Sequence, residues 1–529
     1  MKLEPLRRNR WLFGTAVLAM LWVIARACVQ SITIDEADSY LIWVARPDPS
    51  HWLPAANNHV LNSLLMRLFT SVFGLSHLTV RTPALLGAAI YIFAVYCLCL
   101  LITRDRLLEW PLFVCFVFNP FVLDYLVAAR GYGLAMAFLT CAIAVPAYCR
   151  FEGSNGRFGS PTRACVISSI CFALSFAANF SFAFVNAAAL LLILSWAWRS
   201  QPESGLAERG RYKVKILTAC LLPGLLVTVF LSGWTLLNWP KGQLWFGAAS
   251  LRETLVSVLQ ASAFRLNPQI VNPLLYPFGQ RFKFVLFAVL GAVVLWRLVL
   301  LWRDRSRPRE AHTTWLLSLG VVAGGAAGLA LFAHWLSFRL FHLLLPKDRT
   351  ALYLVPLGML VVGVIAALPL SSRIGRWCYR GVVCALFAVA CYFLLCLRLT
   401  YFKEWPWGAD VKSVYSVLAY YNHNYCIDKV ASSWHYVAAL NVYRELSGGE
   451  TIAPLTSAPR YPSGGAVYVL SYPFDEGFAV AEKLKVVYRG ALSGVVVAVR
   501  PEALVRPSAP CGAGMPGGAG LVSGGRAVR

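Results

Sequence analysis

The sequence predicts a polytopic α-helical membrane protein with about eleven transmembrane helices and a small C-terminal extracytoplasmic α/β domain. The chain has 529 residues, of which 58% are hydrophobic and only 14% are charged. Soluble proteins are about 45–50% apolar and about 25% charged. Apolar segments of about 20 residues, the length that crosses a bilayer, also recur along the chain. Together these features exclude a soluble globular enzyme, a disordered protein and a small disulfide-rich secreted protein.

Eleven apolar segments are predicted to cross the membrane. They comprise residues 11–30, 81–103, 107–124, 132–149, 164–179, 181–198, 216–237, 283–302, 313–336, 351–370 and 378–398. The third and fourth segments are short, and only the polar step from Asn179 to Ser181 separates the fifth from the sixth.

Basic residues set the predicted orientation of these spans. The 48 Lys and Arg residues exceed the 24 Asp and Glu residues, which gives a formal net charge of +24. MKLEPLRRNR precedes the first span, and the short segments on the same side are also basic, so this side is predicted to be cytoplasmic. Topology therefore explains the basic excess without a nucleic-acid partner. No small-residue cleavage site follows the first span, which predicts an uncleaved helix.

Five segments are predicted to lie on the opposite, extracytoplasmic side. They are residues 31–80, 125–131, 238–282, 337–350 and, because the span count is odd, 399–529. The four loops among them retain many Lys and Arg residues, although the positive-inside rule disfavours cations there. These cations favour an anionic ligand. The alternative, of similar weight, is contact with lipid headgroups by side chains that snorkel from helix ends.

Three carboxylates stand directly after the first span, in the segment SITIDEADSY. If this segment is helical, Asp35 and Asp38 share one face and Glu36 points elsewhere. A carboxylate in such a position can act as a general base on an attacking hydroxyl or amine. The alternative is an ordinary helix start, since Thr33 could cap the helix and Glu36 follows three residues later.

The other external segments carry candidate binding residues. They are Asn58 and His59 in LPAANNHVLNSLLMRLF, Asp124, Arg130 and Tyr132 in FNPFVLDYLVAARGYGLAMAF, and Lys347, Arg349 and Tyr353 in RLFHLLLPKDRTALYLVP. Arginine offers a planar fork to phosphate oxygens, and lysine offers a point charge. The alternative for the cations is interfacial anchoring. For His59 the alternative is a loop position before an interfacial helix.

Ionisable residues are almost absent from the middle of the predicted spans. Arg26 lies near the outer end of the first span, and Glu109 lies near the inner end of the third. An ion-coupled transporter needs such residues at mid-membrane. This pattern disfavours a lipid-linked sugar flippase or transporter without excluding it. The sequence is also compatible with a membrane-anchored binding protein and with a transferase of another lipid-linked group.

The last quarter of the chain has a different pattern. Residues 401–505 alternate amphipathic helices with short β-rich runs such as AVYVLSY and GVVVAVR, which predicts an α/β domain. Residues 506–529 are rich in Gly, Pro and Ala and are predicted to be disordered. Thirteen of the 15 cysteines lie in predicted spans. The other two, Cys426 and Cys511, could form a disulfide outside the cytoplasm.

The order of these motifs resembles the membrane-embedded GT-C glycosyltransferases, in particular glycosyltransferase family 39 and its relatives among protein O-mannosyltransferases and lipid A aminoarabinose transferases. The resemblance covers roughly residues 1–400. It rests on the acidic pair Asp35-Glu36 after the first span, on NNHVLNSLLMRLF, on RTPALLG with Arg81, on ARGYGL and on PKDRTALYLVP. Val60 departs from the family pattern, in which proline commonly follows the histidine.

The resemblance implies a bacterial inner-membrane transferase. It would move a sugar from a polyprenyl-phosphate donor to a glycan, lipid or protein acceptor on the periplasmic face, with inversion. Asp35 would be the base with support from Glu36. Arg130, Lys347 and Arg349 would hold the donor phosphate. The substrate pocket would include Asp38, Asn58, His59, Arg81, Asp124, Tyr132 and Tyr353.

No cofactor is expected for this chemistry. The sequence has no glycine-rich nucleotide-binding loop, which fits a lipid-phosphate donor. A divalent metal near Asp35, Glu36 and His59 is the less favoured alternative, because no tight ligand spacing is present. Membrane lipids are the remaining expected partners.

Overall fold

The computed structural model describes residues 9–45, 55, 57–152, 160–199, 206–239, 242–243, 246–304, 311–370, 372–427, 429–448, 452–456, 461 and 465–504. The predicted disordered tail, residues 506–529, lies outside these ranges. Among the described residues the chain forms a large helical unit and a smaller α/β unit. The helical unit holds Asp38–Trp405 and the chain up to Gln30, and the α/β unit holds Ser31–Ala37 and the chain from Pro406 onward.

The helices of the larger unit follow one another with few interruptions. They are α1 (Arg10–Val29), α2 (Ile34–Trp43), α3 (Val60–Phe73), α4 (His77–Ile102), α5 (Arg106–Val117), α6 (Pro120–Tyr125), α7 (Tyr132–Glu152), α8 (Pro161–Ala178), α9 (Ala183–Arg199), α10 (Leu206–Asn238), α11 (Leu251–Ser262), α12 (Tyr276–Arg303), α13 (Ala311–Phe341), α14 (Leu354–Ala367) and α15 (Arg373–Leu395). The first turn of α2 groups with the smaller unit.

The protein is a multi-pass membrane protein. Within the described ranges, ten helical segments are long and apolar enough to cross a membrane. Ten of the eleven predicted spans correspond to them: α1, α4, α7 to α10 and α12 to α15. Leucine, isoleucine, valine and phenylalanine cover these helices on most sides, which is the pattern of a helix that faces lipid and other helices instead of water.

Residues 107–124 do not form the single continuous helix that was predicted. This segment forms two helices, α5 and α6, because the chain turns at Phe118 and Asn119. Pro120 has no backbone N–H to continue α5, and the Asn119 side chain accepts a hydrogen bond from the N–H of Phe121 and caps α6. The 12 residues of α5 rise only about 18 Å, less than the roughly 30 Å thickness of the apolar core of a bilayer.

Segments that were predicted to lie outside the membrane contact one another at one end of the helical unit. Ala248 and Leu345 pair as an antiparallel bridge, with N–H to oxygen distances of 2.7 and 3.0 Å. Asn267 Nδ2 donates to the carbonyl of Leu397 at 2.7 Å. The segment between α10 and α12 therefore contacts both the segment before α14 and the chain just after α15. Which side of the membrane this end faces stays a prediction from the basic residues.

Segments that were predicted to be cytoplasmic have their own long-range contacts. Arg297 in α12 donates to the carbonyls of Ile365, Leu368 and Gly375 at 2.6–3.0 Å, and so holds the end of α14 beside the start of α15. The side chain of Asn9 donates to Glu109 in α5. The bonds to Ile365 and Leu368 satisfy backbone carbonyls that the end of α14 leaves without intrahelical partners.

The smaller unit is a four-stranded mixed sheet with helices. Its elements are α16 (Val411–Tyr425), β1 (Val430–Ser432), α17 (Trp434–Leu446), β2 (Val467–Ser471), α18 (Glu476–Ala481), β3 (Lys485–Arg489) and β4 (Val495–Val499). The strand order is β1-β2-β4-β3, with β1 parallel to β2 and the other pairs antiparallel. Alternate residues of β2 and β4 pack on Ala479 of α18. The predicted α/β character is confirmed.

The smaller unit also contains a disulfide-bonded cysteine. Cys426 follows α16 with a φ of +51° and is disulfide-bonded. Cys511, the predicted disulfide partner of Cys426, lies outside the described residues. The thirteen cysteines of the predicted spans are free thiols.

Candidate active site

A close backbone approach fixes the loop that carries Arg130. Gly131 has a φ of +74°, and a Cβ at this position would lie 2.1 Å from the carbonyl oxygen of Ala178 and 3.0 Å from Cβ of His59. Only glycine fits both the conformation and the space. The loop between α6 and α7 therefore lies directly on the end of α8, and it brings Arg130 and Tyr132 to the side of His59.

Arg130 is buried and held by two side chains. Its Nη1 donates to Oγ of Ser39 at 3.0 Å, and its Nη2 donates to Oδ1 of Asn57 at 2.6 Å. Only 2% of the residue is exposed. Because Ser39 belongs to α2, this arginine is tied to the helix that carries the carboxylates of the first external segment. Two hydrogen bonds also fix the plane of the guanidinium.

His59 is a buried, neutral imidazole between two arginines. It occupies the N-cap position of α3, and its ring centroid lies 5.4 Å from that of Tyr132. Burial lowers the pKa of His59 well below its usual value, and the positive charges of Arg130 and Arg349 lower it further. The carbonyl of Ala178 acts in the opposite direction, with a smaller effect. Neither ring nitrogen has a well-formed hydrogen bond within the described part of the chain.

The segment before α14 places Arg349 beside this histidine. Residues Asp348–Ala351 form a 3-10 turn, and the Arg349 guanidinium lies 5.2 Å from the ring centroid of Phe246. Lys347 has a different environment, because its Nζ lies 2.6 Å from Oε1 of Glu253 and both side chains are about one-third exposed. This ion pair raises the pKa of Lys347. Of the three cations predicted to hold donor phosphate, Arg130 and Arg349 both flank His59.

Asp124 and Arg81 hold the C-terminal end of α1. Asp124 Oδ1 accepts from Arg26 Nη2 at 2.6 Å, and both side chains are 3% exposed. Arg81 Nη1 donates to the carbonyls of Ala27 and Gln30 at 2.8 and 2.9 Å. These contacts brace the helix end. A further role of Asp124 and Arg81 in substrate binding stays a prediction.

The predicted acidic helix exists as α2. Thr33 and Glu36 form a capping box, in which Thr33 N–H donates to Glu36 Oε2 at 2.9 Å and Glu36 N–H donates to Thr33 Oγ1 at 3.1 Å. Glu36 is fully buried, whereas Asp35 and Asp38 are partly exposed and lie on one face at i and i+3. Glu36 thus has the capping geometry of an ordinary helix start, and Asp35 and Asp38 are the accessible carboxylates.

The turn before α2 is held within the smaller unit. The backbone N–H of Ile32 donates to the hydroxyl of Tyr443 in α17 at 3.0 Å. Ser31 Oγ donates to the carbonyl of Ala409 at 2.7 Å. The acidic turn is therefore fixed by residues that follow it by 378 and 411 positions.

Two further predicted residues, Asn58 and Tyr353, have the following contacts. Asn58 Oδ1 accepts from Oγ of Ser63 at 3.0 Å and so stabilises the first turn of α3. Tyr353 is fully buried, with its ring 5.8 Å from that of Phe182 in an edge-to-face contact. Within the described ranges no group of three or more His, Cys, Asp or Glu side chains could hold a metal ion.

Sequence reasoning missed several residues of this end of the protein. Ser39 and Asn57 position Arg130, and their only sequence signal is proximity to the predicted acidic and asparagine-rich motifs. Glu404 was also not predicted as a site residue. Its backbone N–H donates to Asp124 Oδ2 at 3.1 Å. Burial raises the pKa of its carboxyl, and the charge of Lys403 partly opposes this.

The neutral state of His59 predicts a pH-dependent stability. The unfolded chain binds a proton at His59 below about pH 6.5, whereas the folded protein does not, so stability should fall as the pH falls below this value. We expect up to about 1.4 kcal/mol of loss per pH unit from this group. Thermal unfolding of the detergent-solubilised protein between pH 7.5 and 5 would measure it. His59→Gln should show a shallower pH dependence; an unchanged slope would contradict the assignment.

Two solved glycosyltransferases are structurally similar to the chain. No protein-family model and no curated protein matches it. ArnT from Cupriavidus metallidurans bound to undecaprenyl phosphate is 12% identical, with 94% of this chain and 98% of that chain covered and a TM-score of 0.45. The apo form of ArnT is 11% identical over the same shares, with a TM-score of 0.42.

The second protein is the arabinosyltransferase EmbB from Mycobacterium smegmatis. It is 12% identical, with 83% of this chain and 42% of that chain covered and a TM-score of 0.35. ArnT and EmbB are both GT-C glycosyltransferases, the class that the sequence motifs resemble. At these identities and TM-scores the likeness does not assign an activity to this chain.

Proposed function

We propose that this protein is an integral membrane glycosyltransferase of the bacterial inner membrane. It transfers a sugar from a polyprenyl-phosphate-linked donor to an acceptor on the periplasmic face, with inversion of the anomeric centre and with a carboxylate as base. Asp35 is the proposed base. Arg130 and Arg349 are the proposed ligands of the donor phosphate, with Lys347 at its edge.

The observation that carries this proposal is the bond between Arg130 and α2. Arg130 donates to Ser39, which stands on the same short helix as Asp35 and Asp38. The buried Arg130 is thus bonded to the helix that carries both carboxylates. Inverting transfer needs this combination, because a base must activate the acceptor while a cation stabilises the leaving phosphate.

The neutral imidazole of His59 supports the same chemistry. The positive charges of Arg130 and Arg349 both lower its pKa. An anionic phosphate there would offset the repulsion between the two guanidinium groups. A cationic His59 would add a third charge, whereas a neutral ring can donate or accept one hydrogen bond beside the phosphate.

The proposed reaction is a single displacement. The acceptor hydroxyl gives its proton to the carboxylate of Asp35 while its oxygen forms a bond to the anomeric carbon. The bond from that carbon to the phosphate oxygen breaks, and polyprenyl phosphate leaves with the bonding electrons. Negative charge grows on the leaving oxygen in the transition state, so arginines fixed in advance stabilise this state more than the bound donor.

Transfer in proteoliposomes would test the proposal. The purified full chain would be reconstituted and given radiolabelled polyprenyl-phosphate sugars with a membrane extract as acceptor. We expect label to move into a new product only in vesicles that contain the protein, and the product identifies the acceptor class. Protein-free vesicles and heat-denatured protein are the controls. Donor lipid that crosses the bilayer without a new product would contradict transfer and support a flippase instead.

A further inference from the structure

A pocket with an excess of cations lies beside the end of α15. Its lining residues come from α1, from α6 and the turn before it, from the segment after α11, and from the end of α15 and the segment that follows. The empty volume of about 270 Å³ includes space that is open to solvent. The charged lining residues are Arg26, Asp124, Arg398 and Lys403. Neither His59 nor Arg130 nor Arg349 lines it, so it is separate from the proposed donor-phosphate site.

Two of the three cations in this pocket have carboxylate partners. Arg26 pairs with Asp124 at 2.6 Å, and Lys403 pairs with Glu404. Each carboxylate offsets part of the positive charge of its partner. The third cation, Arg398, contributes most to the pocket's excess positive charge.

Arg398 is buried without a carboxylate partner among the described residues. Its Nη2 donates to the carbonyl of Leu266 at 2.8 Å, and its Nη1 lies 3.5 Å from the carbonyl of Cys396. The rings of Phe264 and Tyr401 lie 4.3 and 5.2 Å from the guanidinium carbon. Its Nε has no hydrogen-bond partner within the described part of the chain, although the residue is only 7% exposed.

A buried cation without a counter-ion is unfavourable. The desolvation of an ion costs several kcal/mol, and carbonyl dipoles and aromatic faces return only part of it. An anion that accepts hydrogen bonds from the guanidinium would complete this environment. Phosphate oxygens match the planar fork of an arginine better than a single-point acceptor does.

The apolar lining of the pocket indicates which kind of molecule bears the anionic group. Phe118, Leu123, Phe393 and Leu397 line it together with the cations. Phe393 belongs to α15, which is long and apolar enough to cross the membrane. Charge and apolar surface thus lie side by side at a helix end, which suits a phosphate joined to a hydrocarbon chain better than a free ion.

We propose that this pocket binds the phosphate group of a membrane lipid. Arg398 donates hydrogen bonds to the phosphate oxygens, Lys403 contributes charge from the rim, and the phenylalanine and leucine side chains contact the first part of the lipid chain. The site does not depend on the proposed transferase activity, because it shares no lining residue with the cluster of His59, Arg130 and Arg349.

Lipid binding to the purified full chain would test this site. Native mass spectrometry of the detergent-solubilised protein, titrated with phosphatidylglycerol, gives an apparent Kd for the wild type and for Arg398→Gln. We expect binding to weaken about tenfold in the variant, as for the loss of one charge-assisted hydrogen bond. Arg252→Gln, which removes an exposed cation in α11, is the matched control and should bind as the wild type does.

Competition distinguishes a lipid phosphate from a free one. Millimolar inorganic phosphate should leave phosphatidylglycerol binding unchanged; displacement at such concentrations would overturn the assignment to a lipid. Equal affinity of Arg398→Gln and the wild type would overturn the site and leave Arg398 as a cap of the α15 end. If Arg398→Gln does not fold, two other variants serve the test. Arg398→Lys keeps the charge without the planar guanidinium group, and Lys403→Gln removes the charge at the rim. Unchanged lipid binding in both variants would also overturn the proposal.

Discussion

Replacing Asp35 with asparagine is expected to lower the rate of sugar transfer by about 10²–10⁴-fold, the usual contribution of a general base. The amide of asparagine has nearly the size of the carboxylate and cannot take the acceptor proton. Asp35 is partly exposed and lies in the first turn of α2, so the change should leave the fold intact. Transfer by the two proteins in matched proteoliposomes, with equal folded protein by thermal unfolding, would measure the effect.

Three further variants make this result specific. Asp38→Asn removes the other accessible carboxylate on the same helix face and should have a smaller effect if Asp35 is the base. Glu36→Gln weakens the capping box with Thr33 and should lower thermal stability more than the rate per folded molecule. Glu476→Gln changes an exposed carboxylate of α18 and should be neutral. Equal transfer by Asp35→Asn and the wild type would exclude Asp35 as the base and redirect the search to Asp38 or Glu404.

Replacing Arg130 with glutamine is expected to lower kcat by about 10²–10³-fold, as for the loss of a preorganised donor at a developing negative charge. Glutamine has no charge, and it cannot reproduce the two hydrogen bonds to Ser39 and Asn57. Arg130→Lys should recover part of the rate, because it restores the charge without the fork. Single-turnover transfer with saturating donor would separate this loss from a loss of donor affinity.

A second measurement shows whether Arg130 acts directly. The pKa of His59 is lowered partly by the charge of Arg130, so Arg130→Gln should raise it. Arg252→Gln, which removes a cation from α11, should change neither the rate nor this pKa. A variant in which the pKa of His59 rises while kcat stays at the wild-type value would show that Arg130 is near the histidine but contacts no reacting phosphate.

The membrane architecture could be predicted from the sequence because apolar length alone determines a span. The exception, residues 107–124, has enough apolar residues to cross, and its division depends on one asparagine and one proline. The signal was present at Asn119-Pro120 as a helix cap followed by a proline at the first helical position. Hydropathy averages over a window and so passes over a break of two residues.

Candidate site residues could be chosen from the sequence, but their contact partners could not. The cations and carboxylates of the external loops stood out because charged residues are rare in this chain. The pairing of Arg26 with Asp124 joins positions 98 residues apart, and the bond from Arg130 to Ser39 joins positions 91 apart. No local pattern encodes such contacts, since they result from the packing of several helices. Arg398 was overlooked for the same reason, because its environment is visible only when Phe264 and Leu266 lie beside it.

The bonds of the turn before α2 have a consequence for how the protein is made. Tyr443, which accepts the Ile32 N–H, follows it by 411 residues, so the ribosome must synthesise most of the chain before this turn can find its partner. Translation at about 5–20 residues per second leaves the acidic segment incomplete for tens of seconds after it emerges. A chain cut short before α17 would insert its helices into the membrane and still lack the bond that orders this segment. If the proposed function is correct, a truncated chain without Tyr443 should transfer less sugar per molecule than the full chain.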